Sequence, residues 1–127
     1  MIFGIGTDIA GIRRMGDVLA RHGDKLALRM LAREERQEYG AARDKAVFLA
    51  KRFAAKEAVG KALGIGIIGF VWRDIEVLSG GKPLIALHGD VARIAAHLGV
   101  TRIEVSLSHT GGMAYAVAAA LKEDADG

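Results

Sequence analysis

The order of hydrophobic patterns along the chain predicts an α+β fold: one long buried helix and shorter helices packed on a mainly antiparallel sheet. Three observations carry this. An apolar strand opens the chain, helical patterns fill residues 13–63, and alternating strands joined by Gly-rich turns fill most of the rest. Strands and helices do not take turns, as a doubly wound parallel sheet would require. At 127 residues a single domain over 1–127 is expected, because a chain of this size can bury a core without staples.

Residues 2–9, from Ile2 to Ile9, read as a short buried strand ending in Asp8-Ile9. A helix follows over 13–22, with Arg13, Arg14, Asp17 and Arg21 outward. A second, charged helix spans 32–40, and Glu34 and Glu38 at four-residue spacing mark its surface as solvated. Asp44 is a good N-cap for the long helix 45–63, and Gly64-Ile65-Gly66 supplies its stop. Strands 74–78 and 83–88 flank Ser79-Gly80-Gly81-Lys82, a hairpin signal. Pro83 is tolerated at a strand start. Asp90 is read as the cap of a helix over 91–98 that stops at Gly99. Residues 102–110 alternate cleanly, turn at Gly111-Gly112 and return over 113–119. Residues 123–127 read as a frayed tail.

Composition removes several function classes. The chain has no cysteine, which excludes a disulfide scaffold, a thiolate nucleophile, a cysteine zinc site and an iron–sulfur cluster. The start lacks a basic n-region and reaches Asp8 early, and no apolar run approaches the ~20 residues of a membrane span, so the cytoplasm is the expected compartment. Charge is uneven: residues 1–61 carry 13 Lys+Arg against 8 Asp+Glu, and residues 62–127 carry 5 against 7. The basic first part suits an anionic partner, or else an Arg-rich solvated surface.

Three groups of residues carry chemistry. On the long helix, with Phe53 at zero and about 100° per residue, Glu57 and Lys61 fall inside the apolar face. Lys45, Arg52 and Lys56 form a basic stripe beside it. Glu57 and Lys61 either pair with each other across one turn or serve as a metal ligand beside a phosphate-facing cation. Asp8, at the end of an apolar strand, either caps the next helix or binds a cation. Two carboxylates, Asp8 and Glu57, would suit Mg²⁺, which keeps several waters and fills its shell with substrate phosphates. Ser108 and His109 end a strand before a Gly-Gly turn, with His109 either an ordinary hydrogen-bonded residue or a ligand contact. No serine sits in a nucleophile-elbow context, so a Ser-His-acid triad is not favoured. Gly64, Gly66 and Gly69 follow a helix instead of preceding one, which suits a lid or loop better than a phosphate cradle.

The segments GIGTDIAGI (4–12), FLAKRFAAKEAVGKALGIGI (48–67), DIEV with GGKP (74–77 and 80–83), and VSLSHTGGMAYAVA (105–118) together resemble the holo-[acyl-carrier-protein] synthases, the short 4′-phosphopantetheinyl transferases. The resemblance runs in order over nearly the whole chain. It implies transfer of the phosphopantetheine arm of coenzyme A to a serine of apo-acyl carrier protein, with release of 3′,5′-ADP, in fatty acid biosynthesis. Asp8 and Glu57 match the family's Mg²⁺ ligands, and Lys61 matches its active-site lysine. Ser108, His109 and Thr110 match a segment near the nucleotide end of coenzyme A. Arg52, Lys82 and Pro83 match positions near its phosphates and adenine. Arg14 and Arg21 match the basic face that receives the acidic carrier protein. The resemblance also implies a homotrimer with coenzyme A between protomers, and Glu57 taking the serine proton through a water. Trp72 and Gly111-Gly112 depart from the family's usual residues. Two rivals are a nucleic-acid-binding module, for which no reader motif is present, and a coenzyme A-binding protein without catalysis, which would not need two metal carboxylates.

Overall fold

A computed structural model describes residues 1–66 and 72–123. The predicted α+β class holds. The chain runs β1 (Ile2–Gly11), α1 (Ile12–His22), α2 (Lys25–Met30), α3 (Arg33–Ala41) and α4 (Lys45–Leu63), then a 3₁₀ turn (Trp72–Asp74), β2 (Ile75–Leu78), β3 (Leu84–Leu87), α5 (Gly89–Leu98), β4 (Val100–Thr110) and β5 (Met113–Lys122). β1, β5 and β4 form an antiparallel sheet in that order, and β2 pairs with β3 in a separate hairpin.

α4 is the axis of the molecule, and its ends are set as the sequence predicts. The Asp44 side chain accepts from the Val47 amide at 3.1 Å, and Gly64 closes the helix at φ 75°. Along one side lie Ala114, Ala116, Ala118 and Ala120 of β5, all buried. The small side chains let the helix settle low on the sheet. On β1 the approach is closer still. A Cβ on Gly4 would lie 2.1 Å from the Ala62 carbonyl oxygen, and one on Gly6 would lie 2.0 Å from that of Ala58. The Gly4-Ile5-Gly6 segment is therefore a place where strand backbone rests on helix backbone.

Several expectations are corrected. α2 was not anticipated: it is six residues long, with no side-chain cap at Asp24. Asp90 does not cap α5. The N-cap is His88, and Asp90 lies within the first turn. Asp74 belongs to the 3₁₀ turn and Pro83 precedes β3, so the β2–β3 strands are shorter than read. β1 continues past Asp8 to Gly11, and the first amide of α1, Ile12, donates to the Gly112 carbonyl at 3.0 Å. Asp8 thus has no capping role. The tail beyond Glu123 and the continuation of the glycine-rich turn past Gly66, including Gly69, lie outside the described residues.

Among the described residues no helix is long and apolar enough to cross a membrane.

Candidate active site

Alternation on β1 turns Gly4, Gly6, Asp8 and Ala10 toward α4, and Ile5, Thr7 and Ile9 away from it. Asp8 pairs with Ala116 of β5, one of the residues buried under α4. Its carboxylate is consequently carried to the helix, where Lys61 Nζ donates to Asp8 Oδ1 at 3.0 Å and to the Thr7 carbonyl at 2.9 Å. The Asp8 side chain is 18% exposed and that of Lys61 54%, so this pair lies at the surface of the molecule. The alternative pairing of Lys61 with Glu57 does not form.

Glu57 sits one turn earlier on α4 and is 5% exposed. Its Oε1 accepts the indole N–H of Trp72 at 3.0 Å. No described residue donates to its second oxygen. A buried carboxylate with one hydrogen bond from the described residues, one turn from a lysine that reaches a second carboxylate, is an under-partnered arrangement. Asp8 and Glu57 supply hard oxygens only. Among the described residues no cluster of three or more His, Cys, Asp or Glu forms. That donor set fits an ion such as Mg²⁺, which takes one or two protein carboxylates and leaves positions for water and phosphate. It would not suit a metal that needs a full protein shell.

The basic stripe read from the helix is not a solvated surface. Lys56 is fully buried. Its ammonium donates to Glu35 Oε1 at 2.7 Å, to the Ile75 carbonyl at 2.6 Å and to the Trp72 carbonyl at 3.1 Å. Burial lowers the Lys56 pKa below the ordinary lysine value, and the Glu35 carboxylate opposes the shift. Glu35 is equally buried, so α3 is not the uniformly solvated helix expected.

Arg52 is 5% exposed and also engaged. It donates to the Val77 carbonyl (3.1 Å), to Glu38 (2.7 Å) and to Ser79 Oγ (2.9 Å). Its guanidinium lies 4.6 Å from the Phe48 ring centroid. It borders a cleft of about 660 Å³ whose walls include Arg43, Lys51, Phe48, Pro83 and Leu107. Arg43 and Lys51 are cations that the sequence reading did not single out. Lys82 stands outside that cleft, paired with Glu104 at 2.8 Å. Ser108, His109 and Thr110 are exposed at the end of β4, paired with Tyr115, Ala114 and Met113.

Within one chain the predicted residues therefore form two groups. Lys61 meets Asp8 where β1 crosses α4, and Glu57 lies one turn earlier on the same helix, held by Trp72. Arg52 and Pro83 border the cleft on another side of α4, since Arg52 and Glu57 are about 140° apart around the helix. Arg14 and Arg21 are exposed on α1. Arg14 also borders an apolar cavity of about 320 Å³, with Ile9, Met15, Leu26 and Phe53.

A sequence model of the 4'-phosphopantetheinyl transferase superfamily matches residues 4–120. The chain belongs to this superfamily. It is 44% identical over 123 residues to the holo-[acyl-carrier-protein] synthase of Desulforudis audaxviator, covering 95% of this chain and 94% of that one. It superposes with a TM-score of 0.89 at 35% identity on the holo-[acyl-carrier-protein] synthase of Neisseria meningitidis, over 96% of this chain and all of that one. The corresponding enzyme of Helicobacter pylori, solved in complex with coenzyme A, matches with a TM-score of 0.79 at 31% identity, over 92% of this chain and 99% of that one. The expected family is thereby established, and this member is an enzyme, a phosphopantetheinyl transferase.

Proposed function

We propose that this transferase moves the 4′-phosphopantetheine group of coenzyme A to a serine of an apo-acyl carrier protein, with Mg²⁺ as cofactor, in cytoplasmic fatty acid biosynthesis. The observation that carries the reading is the contact of Lys61 with Asp8 at the β1–α4 crossing, one helical turn from the buried Glu57 carboxylate. Asp8 and Glu57 would hold the cation, whose chemistry is to neutralise charge on the pyrophosphate.

In the transfer, the serine oxygen forms a bond to the phosphorus that bears the pantetheine arm, and the phosphorus–oxygen bond to 3′,5′-ADP breaks. Glu57 accepts the serine proton, directly or through a water. Lys61 exchanges its contact with Asp8 for the departing phosphate and stabilises the charge that develops there. No covalent intermediate on the protein is needed, in keeping with the absence of cysteine.

Coenzyme A bridges copies of the chain in this reading. The 660 Å³ cleft offers Arg52 and Pro83, with Lys82, Ser108, His109 and Thr110 on the neighbouring β3–β4 side, to the nucleotide end. The catalytic group lies on another side of α4, so neighbouring copies complete one another. The outer face of the sheet supports this. Ile5 (60% exposed), Ile9 (56%), Val117 (49%) and Tyr115 (36%) share it, a bare apolar surface suited to burial between copies. The assembly proposed is a homotrimer, and a sedimentation measurement giving a monomer mass at assay concentration would overturn it. Arg14 and Arg21 receive the acidic carrier protein. Arg14→Glu should raise KM for the carrier severalfold and leave KM for coenzyme A unchanged; an unchanged carrier KM removes this docking face.

The central test is direct. Purified protein incubated with coenzyme A, Mg²⁺ and apo-carrier protein should add one phosphopantetheine mass to the carrier, and chelation of the metal should abolish the shift. No mass shift in the complete mixture would sink the proposal.

A further inference from the structure

Trp72 is gripped at both ends by consecutive residues of α4. Lys56 Nζ donates to its backbone carbonyl at 3.1 Å, and Glu57 Oε1 accepts its indole N–H at 3.0 Å. Between these two anchors the indole packs on Phe53, with ring centroids 5.8 Å apart. Lys56 is itself immobilised by Glu35 and the Ile75 carbonyl. The turn that carries Trp72 is therefore tied to the helix by a fully buried ammonium, and the indole N–H is a fixed donor.

The N–H is the only hydrogen bond that a described residue makes to the Glu57 carboxylate. A carboxylate with one oxygen pinned in this way loses rotation about its last torsion and leaves the other oxygen for a ligand. We propose that Trp72 is a positioning residue for the reaction: its indole N–H fixes Glu57 Oε1 and thereby orients the other oxygen of that carboxylate toward the bound cation. Partners of this kind orient metal-binding carboxylates and tune their affinity, and their removal typically costs about 10- to 100-fold. The sequence offers only a tryptophan where the resemblance implies a smaller aromatic. The hydrogen bond explains what the larger ring adds, because phenylalanine has no donor at that edge.

The inference rests on Glu57 being a cation ligand, and the experiment separates the two. Free Mn²⁺ is measured by electron paramagnetic resonance in the presence of protein and coenzyme A, without carrier protein, so that no turnover occurs. Trp72→Phe keeps a ring against Phe53 while it removes the N–H donor and some of the indole's bulk. It should bind Mn²⁺ about 10-fold more weakly, with a thermal midpoint within a few degrees of the parent. In the assay its loss of kcat should be recovered by excess Mg²⁺, which a merely structural defect would not show. Glu57→Gln should bind Mn²⁺ more weakly still. If Glu57→Gln weakens binding and Trp72→Phe does not, the positioning role is overturned and the cation reading stands. If neither weakens it, the cation reading falls and takes the positioning role with it.

A second readout guards against a variant that fails to fold. Trp72 is the sole tryptophan, so emission of the unaltered protein reports on this one indole. Addition of Mg²⁺ with coenzyme A should change the emission of the parent and leave that of Glu57→Gln unchanged. An unresponsive parent emission would overturn the proposal.

Discussion

Two charged clusters start from consecutive residues of α4, Lys56 and Glu57, and they differ in how completely they are satisfied. Around Lys56 the ammonium has three acceptors, one of them the buried Glu35. Around Glu57 and Lys61, one carboxylate oxygen has no described donor, and a half-exposed lysine reaches across to Asp8. The same residue types, lysine and glutamate, build both. A closed shell of partners makes a cluster part of the scaffold, whereas an open one can exchange its contacts for a substrate's.

Substitutions can break this contrast. The largest effect on stability is expected at the closed cluster. Lys56→Met leaves Glu35 buried without its cation and should cost about 3–5 kcal/mol, read as a shift of the urea midpoint. Replacing both partners by apolar residues should recover much of that loss. At the open cluster the outcome reverses. Glu57→Gln should lower kcat at least about 100-fold, with the urea midpoint nearly unchanged. A Glu57→Gln protein that unfolds instead would mean that the open cluster is scaffold too.

The next effect sharpens the comparison through the backbone. Gly6→Ala places a carbon 2.0 Å from the Ala58 carbonyl oxygen and must push β1 away from α4. It should cost about 1–3 kcal/mol and, by moving Asp8 from Lys61, lower kcat as well. An unchanged kcat would show that the open cluster tolerates displacement.

The smallest effect appears only at alkaline pH. Tyr39 donates to Asp24 at 2.6 Å, and burial, this hydrogen bond and the Asp24 charge push its pKa up to about 12. The unfolded chain releases the proton near pH 10, so the folded state binds more protons between these values. The stabilisation is present below about pH 10 and is lost as pH rises through about 12. Tyr39→Phe should flatten that decline in urea titrations, and an identical decline in both proteins would assign it to other groups.

What the sequence made legible follows from the range of each interaction. The ends of α4 are written in Asp44 and Gly64, within a turn of the helix they close. The alternation of 102–110 and 113–119 locates β4 and β5. Asp8, Glu57 and Lys61 stood out because charge interrupts an apolar pattern. Glu35 gave no such signal: its partner Lys56 is 21 residues away, and the charged pattern of residues 32–40 reads as a solvated surface. Trp72 and Glu57 are likewise joined only by the fold. α2 escaped because six residues without a side-chain cap carry little periodicity. Asp90 misled because a capping residue type sits two positions past the actual N-cap, His88, after a Gly89 whose φ is 55°.

The contact of Gly4 and Gly6 with α4 also bears on how this enzyme can change over generations. The smallest enlargement of either residue already collides with a main-chain oxygen, so neither position offers neutral steps to explore. The spacing of Asp8 and Lys61 is inherited with the backbone, out of reach of gradual side-chain drift. Change in such an enzyme must fall on other positions, while the strand–helix crossing stays as it is.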